Sequence, residues 1–174
     1  MRIPRAELVP DTLLPCGVGT RGAHTAILRT DSGLRRAYVK PLSPDGVAAE
    51  CFCALLLKAW GLDVPDPMVV DIEASRWFAS ADVGYPDLRR RFAIEPGRTD
   101  PTTQARIIAA ARVVCGFPTA PLALACDEAI GNGDRNLVNV LWDGGGAPLW
   151  IDHERTLGLQ GSSDANKLAD LACA

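Results

Sequence analysis

No apolar run in this 174-residue chain reaches the roughly 18 residues of a membrane-crossing helix. The opening MRIPRAELVP lacks the apolar centre of a secretory leader. Both absences lead to the expectation of a cytoplasmic protein with no membrane partner. CxxC spacing is missing as well. Cys16, Cys51, Cys53, Cys115, Cys126 and Cys173 sit mostly among Ala, Leu, Val and Phe, with only His24 and His153 to help them. That pattern argues against a structural zinc site and for reduced thiols acting as small apolar fillers. An excess of positive charge is lacking too. A formal net charge of −3 argues against a dedicated nucleic-acid binder, which needs a basic surface to neutralise phosphates. The one basic run, Arg89, Arg90 and Arg91, reads as a solvated face beside a loop. There is no internal repeat and no low-complexity tract.

What is present is enough for an ordinary fold. Hydrophobic residues make up 48% and charged residues 22%, a balance that buries a core rather than leaving the chain disordered. Along the chain, residues 12–16 form a short apolar segment, followed by CGVGTRGAH, TAILRT, the turn DSG and LRRAYVKPL. This order predicts strand, glycine loop, strand, tight turn, strand. The period then changes. VAAECFCALLLKAW, Val47 to Trp60, predicts a helix that stops at Gly61. MVVDI predicts a further strand, and residues 74–100, punctuated by Pro and Gly, predict a loop with short helices. Thr102 to Cys115 and Leu122 to Ile130 predict two more helices, and VNVLW and PLWID predict two short strands joined by DGGGA. The sequence is β-rich first and α-rich later.

Gly17, Gly19 and Gly22 form GxGxxG, a pattern shared by dinucleotide folds, kinases and chance hairpins. In a dinucleotide fold the third glycine opens a helix, whereas AHTAILRT continues as a strand into a turn. A glycine loop between antiparallel strands fits a flap over nucleotide phosphates, where residues without Cβ let backbone amides approach closely. An ordinary flexible hairpin fits it too. Lys40 ends the strand AYVKPL, and Glu50 is the only acidic residue in VAAECFCALLLKAW. A carboxylate on so apolar a helix is costly to bury without a cation, and Lys40 is its natural partner. Taken singly, a surface lysine and an exposed glutamate remain open readings.

The run Asn132-Gly133-Asp134-Arg135-Asn136-Leu137-Val138-Asn139 carries more polar groups than a connecting loop needs. Asp134 and Asn139 are five apart, and Asp152 lies thirteen residues further on, at the end of an apolar strand. In kinase catalytic loops an Asp orients the attacking hydroxyl, an Asn five residues later helps hold magnesium, and a carboxylate returned by a hairpin completes the metal site. The plainer reading is an Asx-rich turn between helix and strand.

The run from Asp127 to Asn139, DEAIGNGDRNLVN, followed by LWIDHE, resembles the catalytic loop and metal motif of HipA-like kinases and the related phosphatidylinositol-kinase-like proteins. The resemblance is specific from Asp127 to Glu154 and extends by order and spacing over residues 12 to 155. It implies an α+β, protein-kinase-like two-lobed fold, with an antiparallel-sheet N-lobe bearing one helix (about 1–72). A small, mainly helical C-lobe with a catalytic-loop hairpin would follow (about 73–174), the whole forming a single compact domain. It implies ATP and Mg2+ as cofactors and γ-phosphate transfer, to protein Ser/Thr in the HipA-like case. By position, Gly17, Gly19, Gly22 and Lys40 would contact the nucleotide, Glu50 would brace Lys40, Asp134 would be the base, and Asn139 and Asp152 would bind metal. Two departures stand out. His153 and Glu154 follow Asp152 where the family often has a small residue. Glu154 is read as a second metal ligand or a partner for Arg155, and His153 as a donor to a carboxylate or a packing residue. Only 22 residues follow Asp152, so the C-lobe is expected to be minimal, completed by a protein partner, or inactive. The tail KLADLACA would offer a docking helix. The alternatives are a kinase-fold regulatory module, a small-molecule or lipid kinase, and a nucleotidyltransferase.

Overall fold

The computed structural model describes residues 2–16 and 22–158. Gly17, Gly19, Cys173 and the segment KLADLACA lie outside the described residues. The chain divides into two compact units, Met1–Leu56 with Pro65–Val83, and Leu57–Val64 with Gly84–Ala174.

In the first unit, strands β1 (Arg5–Leu8), β2 (Leu14–Pro15), β3 (His24–Thr30), β4 (Gly33–Lys40), β5 (Pro67–Ile72) and β6 (Ser75–Ala81) form one sheet with helix α1 (Pro44–Ala59). The order is β1-β5-β6-β4-β3-β2, and β1 also pairs with β3, so five strands close into a ring with β2 added outside it. The expectation of an antiparallel sheet needs correction at one place. β1 and β5 run parallel, with Arg5 opposite Val69 and Ala6 opposite Val70. β1 enters from the start of the chain with no hairpin tying it to β5, so nothing local imposes an opposite direction. β6 is also absent from the sequence reading, which placed a loop there. Its segment SRWFASA buries two adjacent residues, Phe78 and Ala79, and so lacks the alternation that announces a half-buried strand.

Inside the ring, Leu28, Val39, Met68 and Val70 pack with Ala26, Ala37 and Ala79. Each fully buried large side chain stabilises the fold by about 1.5–3 kcal/mol. Outside the ring, Val47 and Cys51 of α1 pack on Phe78, with Val69 and Leu42 at the margin. The helix begins where Ser43 Oγ accepts from the Gly46 amide at 3.2 Å, a serine cap followed by Pro44 in the first turn. It ends at Gly61, whose φ of 94° is a backbone state that glycine adopts without strain.

The second unit holds α2 (Leu88–Arg91), α3 (Pro101–Gly116), α4 (Ala120–Ile130), a 3-10 turn (Leu137–Asn139) and the hairpin β7 (Val140–Leu141) and β8 (Leu149–Trp150). The two predicted helices are each found with slightly wider bounds. α3 starts at Asp100, whose side chain accepts from the Thr102 and Thr103 amides, with Pro101 next. It meets α4 at 92°. No single helix among the described residues is long and apolar enough to cross a membrane. Of the basic run, Arg90 pairs with Asp87 at 3.3 Å, and Arg91 lies over the Trp142 ring at 5.5 Å.

Candidate active site

Lys40 and Glu50 meet in the first unit for a reason visible in the register. Lys40 is opposite Phe78 across the β4–β6 pair, and residues opposite each other project to the same face. Phe78 is the residue on which α1 packs, so Lys40 emerges beside that helix. Glu50 is three residues after Val47 and so lies on the side of the helix that Val47 presents to Phe78. The result is an Nζ to Oε1 contact of 3.0 Å, with Glu50 2% and Lys40 23% exposed. Neighbouring Cys51 feels the same surroundings: burial first, then the Glu50 charge, pushes its thiol up to about 11. Gly22, the last glycine of the loop, has φ of 71°, and a Cβ there would meet Pro41 Cγ at 3.8 Å, an ordinary van der Waals contact.

In the second unit the polar run is built around Asp127 and Arg135. Gly131 ends α4 with φ of 69°, and the Asn132 amide donates back to the Asp127 carbonyl at 2.8 Å, a left-handed helix stop that aims the chain into the loop. The Asp127 carboxylate, at the last turn of α4, accepts from Arg135 Nε at 2.9 Å, from Arg135 Nη2 at 2.8 Å and from Asn132 Nδ2 at 2.9 Å. Both partners of this bidentate pair are only 1% exposed. Arg135 Nη1 then donates to two carbonyls, Asn139 at 3.1 Å and Ile151 at 2.6 Å, while its guanidinium sits 5.6 Å from the Trp150 ring centre. One guanidinium therefore ties the end of α4, the 3-10 turn and the strand that leads to Asp152.

The asparagines complete the loop. Asn132 Oδ1 accepts from the Asp134 amide at 3.3 Å. Asn136 caps the 3-10 turn by accepting from the Val138 amide at 2.9 Å. The Asp134 carbonyl accepts from Asn136 Nδ2 at 2.8 Å and from Asn139 Nδ2 at 2.9 Å. Engaging the Asn139 nitrogen in this way leaves its oxygen as the atom available to a hard cation. The Ile151 amide donates to the Asn139 carbonyl at 3.1 Å, extending the β7–β8 pairing by one step, so Asp152 follows directly beside Asn139. Asp152 has φ of 68°, in the left-handed region. Its carboxylate and that of Glu154 have oxygens within 4.8 Å of each other. Two half-exposed carboxylates that close repel unless a cation lies between them, and an all-oxygen donor set with an amide suits magnesium.

After Asp152 the chain turns inward. His153 is 1% exposed and Thr156 fully buried. Thr156 Oγ1 donates to the His153 carbonyl at 2.7 Å, and the Leu157 amide donates to the Ile130 carbonyl at 2.8 Å. Arg155, read from sequence as a partner for Glu154, reaches Asp134 instead, Nη1 to Oδ2 at 3.1 Å.

Lys40 thus pairs with Glu50, Asn139 is hydrogen-bonded to Asp134, and the carboxylates of Asp152 and Glu154 lie close together. The roles of Asp127, Asn132 and Arg135 escaped individual assignment.

No family model matches the chain, and no curated protein matches it. Among solved structures, the chain is similar to the Helicobacter pylori proinflammatory kinase CtkA, with a TM-score of 0.56 and 14% identity over 86% of this chain. The likeness is to a kinase. The chain spans 58% of that neighbour's length, and at this identity the likeness is one of fold.

Proposed function

We propose that the protein is a HipA-like phosphotransferase that moves the γ-phosphoryl group of ATP, with magnesium, to a Ser or Thr hydroxyl of a protein. The observation that carries this reading is the Arg135 tie, which holds Asn139 and the strand before Asp152 against one side chain. A turn serving only to connect α4 with β7 needs no buried, bidentate ion pair at its centre. The kinase-like fold of the neighbour supports the same reading.

In this reading Asp134 receives the proton of the acceptor hydroxyl as its oxygen bonds to the γ-phosphorus and the bond to the β–γ bridging oxygen breaks, releasing ADP. Lys40, braced by Glu50, meets phosphate oxygens with a point charge. Gly22, with Gly17 and Gly19, lets the backbone approach those oxygens. Asn139 and Asp152 would hold the metal, with Glu154 as a further candidate. Magnesium supplies charge neutralisation on the triphosphate when bound.

ATP labelled on the γ-phosphate and, separately, on the α-phosphate tests the reading. Transfer of γ-label to a protein, reduced about 100-fold or more by Asp134→Asn while binding of an ATP analogue survives, is the expected result. Transfer of α-label would make the protein a nucleotidyltransferase, and γ-label on a small molecule or lipid would change the acceptor class. An unchanged rate in Asp134→Asn removes Asp134 as the base.

A further inference from the structure

Hydrogen bonds on both sides hold the backbone of Asp134. Its amide is held by Asn132, and its carbonyl is held by Asn136 and Asn139. Arg155 contacts that carboxylate at 3.1 Å, with the two side chains 32% and 28% exposed. An ion pair this open to water adds little to stability, so its consequence is geometric. The guanidinium comes from a segment anchored at neighbouring residues. Thr156, next to it, is fully buried and bonded to the His153 carbonyl, and Leu157 is bonded to Ile130 at the end of α4. The three residues before Arg155 lead back to Asp152 and Glu154, so the carboxylate of Asp134 is oriented by the same stretch of chain that presents the metal-side carboxylates.

We propose that Arg155 is a positioning residue for the base Asp134, holding one carboxylate oxygen so that the other is aimed at the acceptor hydroxyl. This rests on the phosphotransferase reading above. Orientation of a reacting group governs the chemical step more than ground-state binding of the nucleotide. Arg155 therefore acts on kcat for phosphoryl transfer and leaves ATP affinity alone.

The test compares wild type, Arg155→Met, Arg155→Lys, Asp134→Asn and the double variant Asp134→Asn/Arg155→Met. The expected result is a kcat for γ-phosphate transfer lowered about tenfold or more in Arg155→Met, with the KM for ATP and the calorimetric affinity for an ATP analogue within about twofold of wild type. Arg155→Lys restores part of the rate, and the double variant is no slower than Asp134→Asn alone, because residues acting as a unit do not add. Melting of the nucleotide-free proteins shows Arg155→Met within a degree or two of wild type, about the shift expected for an exposed pair. An unchanged or raised kcat in Arg155→Met overturns the proposal, a raised kcat marking the pair as an obstruction. A large fall in the melting temperature also overturns it, in favour of a structural role. A wild type that transfers no γ-phosphate overturns the phosphotransferase reading and this role together, whereas an active wild type with an equally active Arg155→Met sinks this role alone.

Discussion

Each unit contains a buried carboxylate that has captured a cation, and the two pairs are built differently. Asp127 and Arg135 are both 1% exposed and joined through two nitrogens, with the remaining donor of Arg135 bonded to backbone. Glu50 is equally hidden, but Lys40 stays 23% exposed and meets it through one nitrogen. The planar fork of arginine suits a closed lattice of fixed acceptors, while an ammonium on a flexible stem suits a charge that must also face a ligand. The first pair is architecture for the loop; the second leaves its cation at the surface of the fold.

Breaking the closed pair should have the largest effect. Arg135→Met or Asp127→Ala leaves a buried charge without its counterpart, and each is expected to destabilise the second unit by about 3–5 kcal/mol in denaturant titrations. The double variant Asp127→Leu/Arg135→Met should be milder than either single one, because it leaves no orphaned charge. A loss below about 1 kcal/mol in either single variant would erase the contrast between the pairs.

The open pair should respond mainly in binding. Lys40→Met is expected to destabilise by only about 1–3 kcal/mol through the abandoned Glu50 carboxylate. It should also abolish most of the thermal stabilisation that magnesium with an ATP analogue gives wild type. Normal nucleotide affinity in Lys40→Met would remove this lysine from the site.

The smallest effect is a matter of thiol chemistry. Burial and the Glu50 charge raise Cys51 to about 11 from an ordinary 9.0, so the folded thiol stays protonated where an unfolded one ionises. Because the folded value is raised, this contribution to stability is complete below pH 9.0 and declines as pH climbs towards about 11. In alkylation followed by mass spectrometry at pH 8, exposed Cys115 should be modified well before Cys51. Glu50→Gln should speed Cys51 alkylation slightly at high pH, since it removes the lesser of the two causes.

Sequence alone reached the pairs unequally. Lys40 and Glu50 were legible because an acidic residue in VAAECFCALLLKAW has few ways to be satisfied, and the order of strand and helix names its partner. The five-residue spacing of Asp134 and Asn139 was legible in the sequence, and the bond from Asn139 Nδ2 to the Asp134 carbonyl joins the two. Arg135 was hidden in plain view. Its acceptors lie at Asp127, Asn139 and Ile151, and only the closing of the hairpin brings the last of these to the first. The same limit applies to β1 and β6. β1 joins β3 and β5 across long stretches of chain, and the buried pair Phe78-Ala79 breaks the alternation by which β6 would have declared itself. The glycines at 17 and 19 fall outside the described residues, so that part of the expectation rests on Gly22 alone.

The left-handed backbone at Asp152 sets durability against chemistry. Glycine would occupy that conformation without strain, whereas an L-residue there gives up roughly 1 kcal/mol, somewhat less for aspartate than for most. A sequence selected only to withstand heat would drift towards glycine at this position, and that change would discard the carboxylate proposed above as a metal ligand. Attempts to harden this protein by relieving backbone strain should therefore leave residue 152 untouched.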